Sequence, residues 1–186
     1  VRPVPGILPM VLAARGRGIA RFLVPEANVR EAAVLSGIEI IPVSRLEEAV
    51  EMLSGVRDIE PVVTDVEAVF RHHGRYPTDF SEVRGQEYAK RAMEVAAAGG
   101  HNILLSGVPG TGKTMMARRL PSILPELSLE EAIETTKIYS TSGLLTGETP
   151  LVATRPFRSP HHTISDAGLI GGGNLPRPGE VSLAHN

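Results

Sequence analysis

Residues 107–114 read Gly107, Val108, Pro109, Gly110, Thr111, Gly112, Lys113 and Thr114. This is the spacing G-x-x-x-x-G-K-[ST], and each fixed position has a chemical reason. Glycines 107, 110 and 112 let the backbone curl into left-handed conformations that turn successive N–H groups toward phosphate oxygens. The Lys113 ammonium can reach the β- and γ-phosphates of a nucleoside triphosphate, and the Thr114 hydroxyl can hold the Mg²⁺ that accompanies them. Asn102-Ile103-Leu104-Leu105-Ser106 predicts a buried strand running into the loop. Thr114-Met115-Met116-Ala117-Arg118-Arg119-Leu120 predicts the first turns of a helix, whose positive N-terminal end faces the phosphates. The alternative is a chance glycine turn; it would not require the lysine, the threonine and both flanks to agree.

A second set of residues is basic. Arg155, Arg158 and Arg177, with His161 and His162, make the one dense basic stretch outside predicted helices. Guanidinium groups on extended chain can grip nucleic-acid phosphates without reading sequence. They can equally pair with carboxylates of their own chain or across a subunit interface, and both readings stay open. The His161-His162 pair is a weak metal candidate. Adjacent side chains on extended chain point to opposite sides, and no third ligand follows nearby. His72 and His73 end a predicted helix, where imidazole suits the dipole.

The elements that position these residues can be read along the chain. Residues 20–24 and Glu39-Ile40-Ile41-Pro42-Val43 are strand-like, and Pro42 puts the second at an edge or end. Asn28 is positioned to cap a helix over roughly 29–36 that Gly37 ends. Ser44-Arg45-Leu46-Glu47 and Thr64-Asp65-Val66-Glu67 read as capping boxes that open helices to about Leu53 and to His73. From Asp79 a helix carries apolar Ala89, Met93, Ala96 and Ala97 and stops at Gly99-Gly100. Pro121 and Pro125 break the helix that follows the phosphate loop. Ser128-Leu129-Glu130-Glu131 opens another helix to about Tyr139, and residues 141–149 are turn-rich. Residues 165–170 suit a short helix, and 171–179 a mobile or hairpin-forming glycine-rich insert.

Bulk properties set limits. The chain has 186 residues and a net charge of −2, so any nucleic-acid contact must come from a local patch. It has no cysteine, which excludes disulfides and thiolate chemistry within it. No apolar run is long enough to cross a membrane, and the first residues are not a signal peptide. A cytoplasmic nucleotide-binding protein without membrane contact is the expectation. Neither end has the features of a natural terminus, so an internal piece of a longer protein is expected.

Residues 79–186 closely resemble the magnesium-chelatase-like AAA+ ATPases of the ComM/YifB type. The likeness rests on Asp79-Phe80-Ser81-Glu82-Val83-Arg84-Gly85-Gln86, on Ala96-Ala97-Ala98-Gly99-Gly100-His101-Asn102 and on the phosphate loop. It rests above all on Arg155-Pro156-Phe157-Arg158-Ser159-Pro160-His161-His162-Thr163-Ile164-Ser165 and on Pro176-Arg177-Pro178-Gly179-Glu180-Val181-Ser182-Leu183-Ala184-His185-Asn186. The arginine–proline–histidine string is far more specific than the loop. Residues 1–54 resemble the back half of a Lon-protease-like domain, which favours the ComM/YifB branch.

The resemblance implies an α/β fold: a partial Lon-like α/β domain over 1–54, a linker with a short helix over 55–78, and over 79–186 the first half of a P-loop AAA+ three-layer αβα core. It implies ATP and Mg²⁺ as cofactors, a homo-oligomeric ring, hexameric in form, and DNA as partner, with helicase-type action in recombination or natural transformation. The alternatives are the ATPase subunit of a magnesium chelatase and a non-hydrolysing nucleotide-binding or assembly module. By the same resemblance, Val83, Arg84, Gly85 and Gln86 lie on the adenine side, and Arg155, Arg158 and Arg177 in a loop facing the ring pore. In the family the chain after Ala-His-Asn continues into the Walker B strand, so no catalytic acid falls within these residues. The full-length protein is expected to be an ATPase, and this stretch to bind ATP without efficient turnover. A Lon-type Ser–Lys dyad is not expected: the first lysine is Lys90, and Leu8 stands where the protease lysine would be.

Overall fold

The computed structural model describes residues 1–145, 149–173 and 176–186. The chain opens with helix α1 (Ile7–Gly16), which the sequence reading did not anticipate. Pro9 discourages a helix there, but it falls in the first turn, where the missing N–H has no intrahelical partner to lose. Strand β1 (Arg21–Pro25), helix α2 (Val29–Ala32) and strand β2 (Glu39–Val43) follow. The strands pair in parallel, Arg21 opposite Glu39 and Pro25 opposite Val43, with α2 as the crossover. Pro42 is tolerated because the far side of β2 carries a single bridge, from Ile40 to Val62.

Helices α3 (Leu46–Leu53) and α4 (Val66–His73) form where expected, but each cap sits one residue later than the sequence suggested. The Glu48 carboxylate, not that of Glu47, accepts the N–H groups of Ser44 and Arg45 at 2.8 and 3.2 Å. Asp65, not Thr64, caps α4 by accepting from Ala68 N–H at 2.9 Å. The hydroxyls of Ser44 and Thr64 are committed to other segments, donating to Glu26 and to the Arg30 carbonyl. Asn28 likewise does not cap α2. Its amide clasps both backbone groups of Val4, at 2.9 and 3.0 Å.

Beyond Asp79 come a 3-10 turn (Phe80–Glu82), α5 (Glu87–Gly99), α6 (Lys113–Arg119), a second 3-10 turn (Leu120–Ile123) and α7 (Leu129–Thr141). Ser128 and Glu131 form the reciprocal capping box that the sequence predicts for α7. Helix α8 (Asp166–Ile170), capped by Ser165, leads into β3 (Gly171–Gly172). β3 pairs antiparallel with β4 (Arg177–Pro178), and α9 (Glu180–Leu183) follows. The glycine-rich insert is thus a hairpin whose tip lies outside the described residues, as does part of the turn-rich stretch 141–149.

The helix expected over 29–36 ends at Ala32, and the strand expected over 102–106, before the phosphate loop, does not form. Ile103 and Leu105 turn inward and Leu104 is 90% exposed, which is the alternation of a strand. No strand among the described residues lies beside them to complete the ladder.

Two buried clusters organise the molecule. The larger joins Ile7, Leu8 and Val11 of α1, Val24, Ala32, Ile40 and Val69 to Leu127, Ala132 and Leu151. The amino-terminal α/β unit and α7 therefore share one core. The smaller gathers Phe80, Val83, Met93 and Met116, with Ala89, Ile103, Leu105, Leu120 and Ile123 packed against it. The phosphate loop stands on this second cluster.

Candidate nucleotide-binding site

Met116 is buried in the smaller core and fixes the start of α6, so the loop before it has an anchored floor. Gly110 and Gly112 take φ of +84° and +82°, and Gly107 is also at positive φ, as the sequence requires of these three positions. Gly112 stands at the N-cap of α6, and its carbonyl accepts from Met116 N–H at 2.9 Å. Lys113 folds back over the loop. Its Nζ donates to the carbonyls of Gly107 at 2.8 Å and Val108 at 2.7 Å. The Thr111 hydroxyl donates to the same Val108 carbonyl at 2.9 Å, and its oxygen lies 3.3 Å from Nζ. Val108, Pro109, Gly110 and Thr114 are exposed around this arrangement. One ammonium, the backbone N–H groups that a glycine-rich turn can present and a threonine hydroxyl on the first turn of α6 make a set that fits a nucleotide polyphosphate and its Mg²⁺.

A cavity of ≈430 Å³ adjoins the loop, lined among others by Gln86, Tyr88, Ile103, Leu105, Thr111 and Lys113. Its apolar wall and polar end suit a base and its phosphates respectively. Of the four residues expected on the adenine side, Gln86 lines it. Val83 is instead buried in the smaller core, and Arg84 and Gly85 face solvent. Gly85 and Gln86 hold φ of +64° and +58°, so α5 starts from a sharp reversal of the chain. Tyr88, Ile103 and Leu105 were not singled out by sequence reasoning as site residues; the one signal at 103 and 105 is the apolar run that leads into the loop.

The basic residues divide. Arg155 is 14% exposed and saturated within the chain: it donates to the carbonyls of Pro125 at 2.6 Å and Asn186 at 2.7 Å, and pairs with Glu131 at 3.3 Å. Arg158 grips Glu180 with both arms at 2.6 Å. That bond holds the Glu180 carboxyl below its ordinary range and the guanidinium above its own. Burial raises the pKa of the neighbouring Tyr139 phenol. Arg177 sits exposed on β4 of the hairpin. The structure thus shows the local-pairing alternative for Arg155 and Arg158 and leaves the hairpin arginine facing solvent. The His161 and His162 rings lie 4.2 Å apart and tilted, and His161 Nδ1 meets the Thr163 hydroxyl at 2.8 Å. Among the described residues no group of three or more His, Asp and Glu side chains is placed to hold a metal ion, and no helix is long and apolar enough to cross a membrane.

A family model described as magnesium chelatase, subunit ChlI, matches residues 79–186, more than half of the chain. The chain belongs to that family. The competence protein ComM of Haemophilus influenzae is 40% identical over 190 aligned positions, and the uncharacterized protein YifB of Escherichia coli K12 is 41% identical over 189. Each alignment covers 100% of this chain and 36% of the relative, so this chelatase-family chain spans about a third of their length. An archaeal Lon protease of Archaeoglobus fulgidus is 38% identical over 52 positions, 28% of this chain and 8% of the protease. The ComM/YifB likeness therefore runs through both cores, and the Lon likeness is short.

Proposed function

We propose that the chain binds Mg²⁺-ATP on residues 107–114 and serves the ATPase module of a ComM/YifB-type ring ATPase that acts on DNA in recombination or transformation. The observation that carries this reading is the geometry of Lys113. Its ammonium is already folded over a loop whose glycines have taken left-handed turns, within reach of any phosphate seated there. The loop N–H groups and Lys113 would neutralise the β- and γ-phosphates, Thr114 would ligate Mg²⁺, and the cavity beside Gln86 and Tyr88 would take the base. Turnover also needs a water-orienting acid and an arginine from a neighbouring subunit, so binding is the role assigned to this loop itself. In this proposal residues 1–54 are the back half of a Lon-like domain, 55–78 a linker, and 79–186 the first part of the AAA+ module of a homo-oligomeric, hexameric ring.

The description of the matching family supports a second reading, the ATPase subunit of a magnesium chelatase. The hydrolysis rate of the full-length protein separates the two. Stimulation by DNA supports the ComM-type reading; a rate indifferent to DNA but raised by a chelatase partner and porphyrin supports the other.

A further inference from the structure

Residues 79–123 form a unit of their own. Its two 3-10 turns, α5 and α6 pack on one another, and their substantial element-to-element packing stays inside the unit. Phe80, Val83, Met93 and Met116 make the smaller core, separate from the core that α1, α2 and α7 build. Its ends are fastened together. The Phe80 N–H donates to the Ser122 hydroxyl at 3.0 Å, and that hydroxyl donates to the Arg119 carbonyl at 2.7 Å. The Arg119 guanidinium donates to Glu82 at 3.1 and 2.5 Å. The phosphate loop therefore rides on a closed lobe joined to the rest by two strips, 74–78 going in and 124–126 coming out, the second ending at Leu127 in the larger core.

Arg155 holds both strips. Its backbone N–H donates to the Tyr76 hydroxyl at 2.9 Å on the ingoing strip, and its Nε donates to the Pro125 carbonyl at 2.6 Å on the outgoing one. Its remaining nitrogens bind the Asn186 carbonyl and the Glu131 carboxylate. Glu131 is itself fixed at the N-terminus of α7, and α7 is part of the larger core. The Arg155 guanidinium thus ties the outgoing strip to the platform on which α1, α2 and α7 are packed, and its backbone N–H holds the ingoing one. No residue of either strip is buried, so without Arg155 the lobe would be left to turn about its neck, as hinged bodies do.

We propose that Arg155 is a positioning residue, a latch that sets the orientation of the phosphate-loop lobe relative to the α1–α2–α7 platform. The identity of what the lobe binds rests on the nucleotide reading above; the latch does not. A lysine in its place keeps a positive charge near Glu131 but lacks the planar fork that reaches Pro125 and Asn186 together.

The test is made in the full-length protein, with spin labels at Ser36→Cys on the platform and Ala98→Cys on α5, both exposed. This chain has no cysteine of its own, and any elsewhere are replaced by serine. The parent should give a narrow distance distribution. Arg155→Lys should broaden it well below the melting temperature, with the Kd for Mg²⁺-ATP within about twofold of the parent because the lobe keeps its own core. A distribution as narrow as the parent's overturns the proposal. So does a tenfold loss of ATP affinity in Arg155→Lys, which would place the arginine in the fold of the lobe itself. Should Arg155→Lys not fold, Glu131→Gln, which weakens the guanidinium's hold on α7 while keeping an acceptor for the Ser128 N–H, decides on the same distance criterion. Failure of the parent to bind Mg²⁺-ATP sinks the nucleotide reading and leaves the distance measurement to judge the latch.

Discussion

The Ser140 hydroxyl donates to the Glu31 carboxylate across 109 positions of sequence. The same carboxylate accepts the Leu8 N–H at 3.3 Å, and the Ser140 carbonyl accepts the Gly6 N–H at 2.9 Å. The start of α1, the helix α2 and the end of α7 thus meet at one side chain, above the core in which Leu8 and Ala132 are fully buried. Replacing Glu31 with Ala should cost about 1–3 kcal/mol, because it leaves a partly buried hydroxyl and a helix N–H without their charged acceptor. Chemical denaturation of the full-length protein and the variant measures this. An unchanged midpoint would mean that the two segments are held by apolar packing alone.

Stability should also depend on acid through the Arg158–Glu180 pair. The arginine hydrogen bond lowers the Glu180 pKa from its ordinary 4.5. Above that value the carboxylate is ionised in both folded and unfolded chains, and the pair contributes fully. Below it the unfolded chain takes up the proton first, and the contribution drains away until the depressed folded pKa is passed. Glu131, Glu48 and Asp79 shift in the same direction, led by hydrogen bonds from the Ser128 backbone, the Ser44 backbone and the Ser81 side chain respectively. Melting temperatures taken from about pH 7 to about pH 3 should therefore fall on acidification, and Glu180→Gln should flatten part of that slope. An identical slope in the variant would contradict the assignment.

The two outer arginines should behave differently toward DNA. Arg177→Ala on the hairpin should weaken binding of the full-length protein and reduce the salt slope of log K by about one. Arg158→Ala should instead lower the melting temperature, since its guanidinium is spent on Glu180. Anisotropy titrations over a salt series separate these outcomes. A salt slope untouched by Arg177→Ala would remove the hairpin from the DNA contact.

Local rules read well where a residue's partners are local. Ser128 and Glu131 satisfy each other within one helical turn, and the sequence places α7 correctly. The phosphate-loop glycines need particular backbone angles, and these too were legible. Asn28, Ser44 and Thr64 have the chemistry of helix caps, but their side chains bond Val4, Glu26 and Arg30, and the caps move or vanish accordingly. Tertiary partners of this kind leave no spacing signature. The strand expected at 102–106 rests on a short apolar run, and the chain there does alternate in burial, yet a strand also needs a neighbour. Local pairing of Arg155 and Arg158 was open from the sequence, but their partners were not legible for the same reason: Pro125, Asn186 and Glu180 come near them through the fold.

The central claim is tested most directly by isothermal titration of the full-length protein and its Lys113→Ala variant with Mg²⁺ and a slowly hydrolysed ATP analogue. Lys113 is the cation that lies over the loop, bonded to the carbonyls of Gly107 and Val108. The parent should bind with about one site per chain, and the variant should lose at least about a hundredfold in affinity, the cost of removing a charge-assisted contact to the β- and γ-phosphates. Equal affinity in parent and variant would show that nucleotide is not held by this loop.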